Sequence, residues 1–281
     1  MGERGFLRKW GKAFSPQRRC FVRNFWMTCV EYFPFSLYYA KCQLRKEVAM
    51  MRLGWIWWFL EPALFTAIYV FVFSFVFRSR LLYRVPYVAL GQMMWSFFNR
   101  TCTNSVTLIR HYRGLLSRSD IPKFVLLINS MLVSGFKMFI SFLLVVGLMY
   151  FYKVPVTRMY AFFPLILSVF IVFCFGCGLW LMHLGVYFPD LKNVVPVLLR
   201  MLLYLSGIFY SLEDRLGELA ARIILRYNPV GCLMFEARNV LLYNRLTSPY
   251  SIAIWFGVGL LLSATALKSI ERHEKDYIKV I

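Results

Sequence analysis

The residues of this chain that could do chemistry are few enough to follow one by one. The stretch RLGWIWWFLEP, residues 52–62, passes from a cation through a block of tryptophans to Glu61, which is backed by Pro62. Farther on, Arg100, Lys137, His183 and Arg200 each interrupt a long apolar run. A charge near the centre of a bilayer costs at least about 2.5–3.5 kcal/mol, so such groups belong in a protein interior, in an ion pair or along a wet path. Catalysis would ask for a carboxylate pair or a His–Asp constellation at one membrane face. Acids inside the apolar runs reduce to Glu61, and Asp190 alone lies near His183 in sequence, so a membrane-embedded acyl- or glycosyltransferase is the weaker reading. Cys174 and Cys177 spell C-x-x-C within an uninterrupted apolar run, which makes them packing thiols rather than a redox or metal site. Three histidines in all make no cluster, and no metal ligand set is expected.

The elements that must position these groups are apolar helices. Of 281 residues, 60% are hydrophobic, 19% aromatic and only 16% charged, against roughly a quarter charged in a soluble domain. The mean hydropathy is +0.60. These values describe an all-α polytopic membrane protein. The formal net charge of +20 reads as membrane topology and contact with anionic headgroups; no basic stripe sits on a soluble domain to argue for nucleic acid. Seven cysteines spread through the chain give no disulfide framework. The N-terminus lacks the small-residue cleavage site of a signal peptide.

Residues 1–54 form a basic, aromatic segment predicted to lie in the cytoplasm. Within it Leu37, Leu44, Val48 and Met51 recur at helical spacing, with Lys41, Arg45 and Lys46 elsewhere on the turn, which predicts an amphipathic interface helix. Six spans are expected, at about 55–77, 86–109, 121–151, 159–187, 194–211 and 251–267. The second is too polar to face lipid all round and must be buried or line a wet path. Region 212–249 carries two short pieces, about 216–226 and 230–242, broken at Asn228-Pro229. Both fall short of the roughly 20 residues needed to cross, so they are expected as re-entrant helices. Residues 268–281 form a charged tail. Cations are more numerous on the predicted cytoplasmic side, chiefly because of residues 1–54, and both termini are placed inside.

Three ordered motifs resemble the ABC-2 type permeases of polysaccharide export. RLGWIWWFLEP followed by ALFTAIYVFVFSFVF is similar to the family's lead-in to its first span. FPDLKNVVPVLLRMLLYLSGIFY (188–210) and RYNPVGCLMFEARNVLL (226–242) resemble two later family elements. Leu-Glu-Pro at 60–62 looks closer to the capsule branch than to the O-antigen or teichoic-acid branches. Two features depart from the pattern: the long N-terminal extension, and Phe-Pro-Asp at 188–190 where many members have Phe-Arg-Asp. The resemblance implies a homodimer of six-span subunits joined to two copies of an ATP-binding subunit, moving a lipid-linked glycan to the outer leaflet. An ABC-2 exporter of a drug or small lipid is the alternative within transport. The chain has no G-x-x-x-x-G-K-S/T, so ATP and magnesium are expected on the partner subunit, with no cofactor in this chain and no enzyme activity of its own.

Within that frame Glu61, Pro62 and Arg52 are candidates for a cytoplasmic gate or hinge. Arg52 or Arg110 would supply the cation for Glu61, and Pro62 would let the helix bend. A structural ion pair at the interface is the competing reading for Glu61. Trp55, Trp57 and Trp58 read first as an aromatic belt. A substrate path would use Tyr69, Phe73, Trp95, Phe98, Tyr204, Phe209 and Tyr210 as stacking faces, with ordinary helix packing as the alternative at each. Arg100 and Arg200 would meet an anionic glycan or lipid diphosphate; interhelical pairing, or snorkelling by Lys137, is the other possibility. Arg45, Lys46, Arg113, Arg118, Asp120, Asp190 and Lys192 are the expected handles for the ATPase. Asn228, Pro229, Glu236 and Arg238 are expected to hold the re-entrant region together. His183 is expected to be a hydrogen-bonded packing residue.

Overall fold

The computed structural model describes residues 25–49, 52–75, 83–116, 121–207 and 225–280, and among these it contains helices and turns but no strand. Eight helices of more than one turn succeed one another: α1 (Phe25–Ala49), α2 (Ile56–Phe75), α3 (Arg84–His111), α4 (Lys123–Phe151), α5 (Phe163–Tyr187), α6 (Leu191–Leu205), α7 (Pro229–Leu242) and α8 (Pro249–Val280). A 3₁₀ turn, Arg158–Phe162, leads into α5. Among the described residues three stretches are long and apolar enough to cross a membrane: Lys123–Phe151, Arg158–Tyr187 and Pro249–His273. The chain is thus an all-helical membrane protein with more than one span.

Helix α3 explains how so polar a sequence survives in that setting. It is the axis of the bundle, touching α2, α4, α5, α6 and α7. Gln92, Thr101 and Ser105 are buried on it, and Ser105 Oγ donates to the Thr101 carbonyl at 2.5 Å. Neighbouring helices, not lipid, surround its polar positions, as the composition required.

Helix directions follow from the contacts. Phe97 lies beside Gly135 of α4 and Phe170 of α5, while Ser105 lies beside Leu127 and Gly178 through the close approach at Gly178. Helix α4 therefore runs against α3, and α5 runs with it. Helices α5 and α8 are parallel: Phe173 meets Trp255, Trp180 Nε1 donates to Thr265 Oγ1 at 3.2 Å, and His183 meets Ser269 and Tyr277. Small residues permit these contacts. A Cβ on Gly176 would meet Leu262 Cβ at 2.9 Å and the Gly259 carbonyl at 3.0 Å; one on Gly185 would meet the Val106 carbonyl oxygen at 2.1 Å.

Three elements differ from the expectations. In the stretch expected to cross at 194–211, the described helix runs from Leu191 to Leu205, about 22 Å long at 1.5 Å per residue. It ends because Ser206 turns back onto the Leu202 carbonyl and Gly207 adopts φ 60°, a left-handed stop that glycine accommodates without strain. The charged tail is not a separate segment: α8 continues through it as helix to Val280. The interface helix is longer than its apolar stripe implied, beginning at Phe25 and passing through Pro34. Residues 1–24, the first re-entrant piece apart from its last residues, and the end of the first span lie outside the described residues.

Candidate functional site

Helix α2 begins beside the middle of α4, with the Trp58 ring 5.4 Å from Phe136. Glu61 stands one turn into α2 and Pro62 follows it, so the Trp58 carbonyl has no backbone donor four residues on. The Glu61 carboxylate accepts from Arg100 Nη2 on α3 at 2.8 Å, and both side chains keep about a third or less of their exposure. The cation is therefore neither of the two expected. Arg52 is exposed in the turn before α2, and Arg110 lies ten residues, about 15 Å, along α3 from Arg100, where its Nη2 donates to the Val186 carbonyl at 2.9 Å. Lys137 is paired too. Its Nζ sits 2.6 Å from Glu47 of α1 and thereby ties the interface helix to α4.

These groups surround a polar cavity of about 10 Å³ lined by Trp58, Glu61, Pro62, Phe65, Gln92, Ser96, Arg100, Lys137 and Ser141, room for about one water. Two of its lining atoms, Trp58 Nε1 and Gln92 Oε1, are buried without a protein partner. A lone donor and a lone acceptor at a one-water cavity fit a bridging water, beside an ion pair that is only partly buried. Gln92, Ser96 and the Glu47–Lys137 link were missed in the sequence. The signal available for the last was the only acid within the basic stretch 41–52.

The aromatics expected along a path separate into two groups. Trp95 and Phe98 are buried, Phe98 stacking near Phe173 of α5 at 6.4 Å, so within one chain they belong to the core. Tyr69 is half-buried, stacks near Phe65 at 6.2 Å and lies within electrostatic reach of Tyr204 on α6. Tyr204 is 63% exposed and Arg200 shares the exposed surface of α6. The Phe73 side chain, Phe209 and Tyr210 lie outside the described residues. Of the expected handles, Arg45, Lys46, Arg113, Asp190 and Lys192 are exposed, whereas Arg118 and Asp120 lie outside the described residues.

A second polar assembly closes the end of the bundle where α3 begins. Asn228 caps α7: its Oδ1 accepts from the Gly231 amide at 3.0 Å, Pro229 follows at the first turn, and Nδ2 donates to Ser206 Oγ at 2.9 Å. Arg238 is 2% exposed. Its Nε donates to the Tyr87 carbonyl at 3.1 Å, its Nη1 to the Gly207 carbonyl at 2.9 Å, and its guanidinium lies 3.7 Å over the Tyr87 ring. One side chain thus joins the start of α3, the end of α6 and α7. Glu236, 1% exposed, accepts from the Thr247 amide at 3.0 Å and fixes the loop before α8. At the Tyr187 end, His183 bonds through Nδ1 to the Tyr277 hydroxyl and through Nε2 to Ser269 at 3.1 Å, which makes it a packing group between α5 and α8.

The chain is similar to the O-antigen export system permease protein RfbA of Klebsiella pneumoniae, 23% identical over 239 residues that cover 85% of this chain and 91% of that protein. It is 24% identical to a protein of the same name from Myxococcus xanthus, over 82% of this chain and 88% of that one. The polysialic acid transport protein KpsM of Escherichia coli is 23% identical over 61% of this chain and 68% of its own length. No family model matches the chain. The alignments run farther along the O-antigen proteins than along KpsM, opposite to the leaning that Leu-Glu-Pro gave. Three ordered motifs, an all-helical bundle and relatives matched along most of their length agree in likening the chain to the ABC-2 type permeases of polysaccharide export.

Proposed function

We propose that this chain is the membrane subunit of an ATP-driven exporter that carries a lipid-linked polysaccharide across the bacterial inner membrane. The observation that carries this reading is the match to an O-antigen export permease over 85% of the chain. Two copies of the chain would assemble with two copies of a separate ATP-binding subunit, which holds the ATP and magnesium; the permease itself catalyses no reaction. Each copy would cross six times with both termini in the cytoplasm, and 212–249 would enter and leave on the outer side. Helix α7, 14 residues and about 21 Å long, is short enough for that.

The exposed faces of α2 and α6 support a route between two copies. Trp57, Phe59, Phe65 and Phe71 of α2 and Tyr204 of α6 present rings, whose faces bind the C–H surfaces of sugars while permitting sliding. Arg200 adds a cation for an anionic glycan or diphosphate. Glu61–Arg100 is the latch at the mouth of this route, and Pro62 lets α2 bend beside it. Lys46, Arg113, Asp190 and Lys192 would take the push of the ATPase, which the Glu47–Lys137 pair passes from α1 to α4.

The test is deletion of the gene in its host, complementation with wild type or Glu61→Gln, and quantification of surface polysaccharide. Wild type should restore it and Glu61→Gln should restore a small fraction at equal protein level. A deletion strain with unchanged surface glycan, and a purified chain that does not bind an ATP-binding subunit encoded nearby, would overturn the reading.

A further inference from the structure

Helix α1 carries its cations in an unexpected place. At 100° per residue, Leu37, Lys41, Leu44 and Val48 fall within a narrow arc, Arg45 lies at its edge and Lys46 lies opposite. The structure bears this out, correcting the expectation that Lys41 and Arg45 lie away from the apolar stripe. Both line a groove of about 820 Å³ between α1 and α4, walled by Leu44 and Val48 on one side and Leu132 and Phe136 on the other, with Trp58 beside it. Among the described residues neither cation has an ion-pair partner: Glu47, the nearest acid in sequence, is taken by Lys137. A second apolar cleft of about 750 Å³ lies farther along α4, between Phe59–Phe71 of α2 and Leu143–Leu148.

We infer that the α1–α4 groove is a binding site for an anionic phospholipid of the surrounding membrane. Its phosphate sits between Lys41 and Arg45, and an acyl chain lies along Leu44, Val48, Leu132 and Phe136. The volume falls within the range of small-molecule sites. A merely greasy groove would take any lipid, because acyl chains are as apolar as the wall and burial between them gives no selectivity. Two cations at the rim of an apolar slot supply that selectivity, and they suit a headgroup of opposite charge attached to a chain. The bound lipid would wedge the interface helix against α4 next to the Glu47–Lys137 pair. The inference does not rest on the transported substrate and is tested without it.

The experiment uses the purified full-length chain in detergent, titrated with brominated-acyl phosphatidylglycerol or brominated-acyl phosphatidylcholine, with tryptophan quenching as readout. Trp58→Phe identifies the component that arises at the groove. Phosphatidylglycerol should quench that component at a concentration at least tenfold below phosphatidylcholine. Lys41→Gln and Arg45→Gln should each weaken phosphatidylglycerol by about fivefold and leave phosphatidylcholine unchanged. Leu132→Trp, which fills the slot from α4 and keeps both cations, should abolish quenching of the groove component by either lipid in the Trp58 difference signal. Equal affinity for the two lipids, or an unchanged preference in a folded Lys41→Gln/Arg45→Gln protein, would overturn the site. Displacement of phosphatidylglycerol by an equimolar polyprenyl phosphate would overturn it as well, by assigning the groove to a carrier lipid.

Discussion

Arg238 and Arg100 are both arginines inside a helical bundle, and they are held in opposite ways. Arg238 is buried, donates to two backbone carbonyls and lies on an aromatic ring. Arg100 is about a quarter exposed, meets one carboxylate, and borders a one-water cavity where a donor and an acceptor lack protein partners. The first arrangement is fixed from three directions at once and acts as a rivet. The second has alternatives on every side, because Glu61, Lys137, Glu47 and water can exchange partners at modest cost. A firmly held guanidinium and a loosely held one thus lie at different levels of the same bundle, and a transporter needs both stability and motion.

Substitutions can break this contrast in graded fashion. The largest effect is expected for Arg238→Ala, which removes the bonds to the Tyr87 and Gly207 carbonyls and the contact with the Tyr87 ring at a combined cost of about 3 kcal/mol. Thermal unfolding in detergent should shift down by many degrees or the protein should fail to accumulate. Gly185→Ala comes next: its Cβ meets the Val106 carbonyl oxygen, and forcing α3 and α5 apart should cost about 1–3 kcal/mol in the same assay. Asn228→Ala removes the cap of α7 and the bond to Ser206, costing about 1 kcal/mol. The smallest stability effect is expected for Glu61→Gln, Arg100→Gln and their double variant. A double-mutant cycle should give a coupling below about 1 kcal/mol, since both partners are partly solvated, while glycan export falls sharply in each. A coupling of several kcal/mol would make Glu61–Arg100 a second rivet and erase the contrast.

Much of the architecture was legible because local chemistry dictated it. Apolar runs located the helices at 123–151 and 163–187 to within a few residues, and Asn228-Pro229 signalled both the break and the cap. The polarity of α3 announced that it must be buried. What could not be read was which side chain meets which across helices. For Glu61 the sequence offered Arg52 or Arg110, and only the direction in which α3 presents its side chains brings Arg100 to it instead. The early end of α6 was masked by continued hydrophobicity after Leu205, although Ser206-Gly207 carried the stop. For Lys41 and Arg45 the helical angle was available from the spacing; the apolar wall of α4 that turns their face into a groove was not.

Helix α8 is continuous from Pro249 to Val280, and its far part is fastened to α5 through Tyr277 and Ser269. A rod of 32 residues is about 48 Å long, longer than a hydrocarbon layer is thick. Torque applied to its charged terminus therefore has no joint in which to dissipate. A push there would reach the Pro249 end, next to the loop that Glu236 holds, as a tilt of the whole strut.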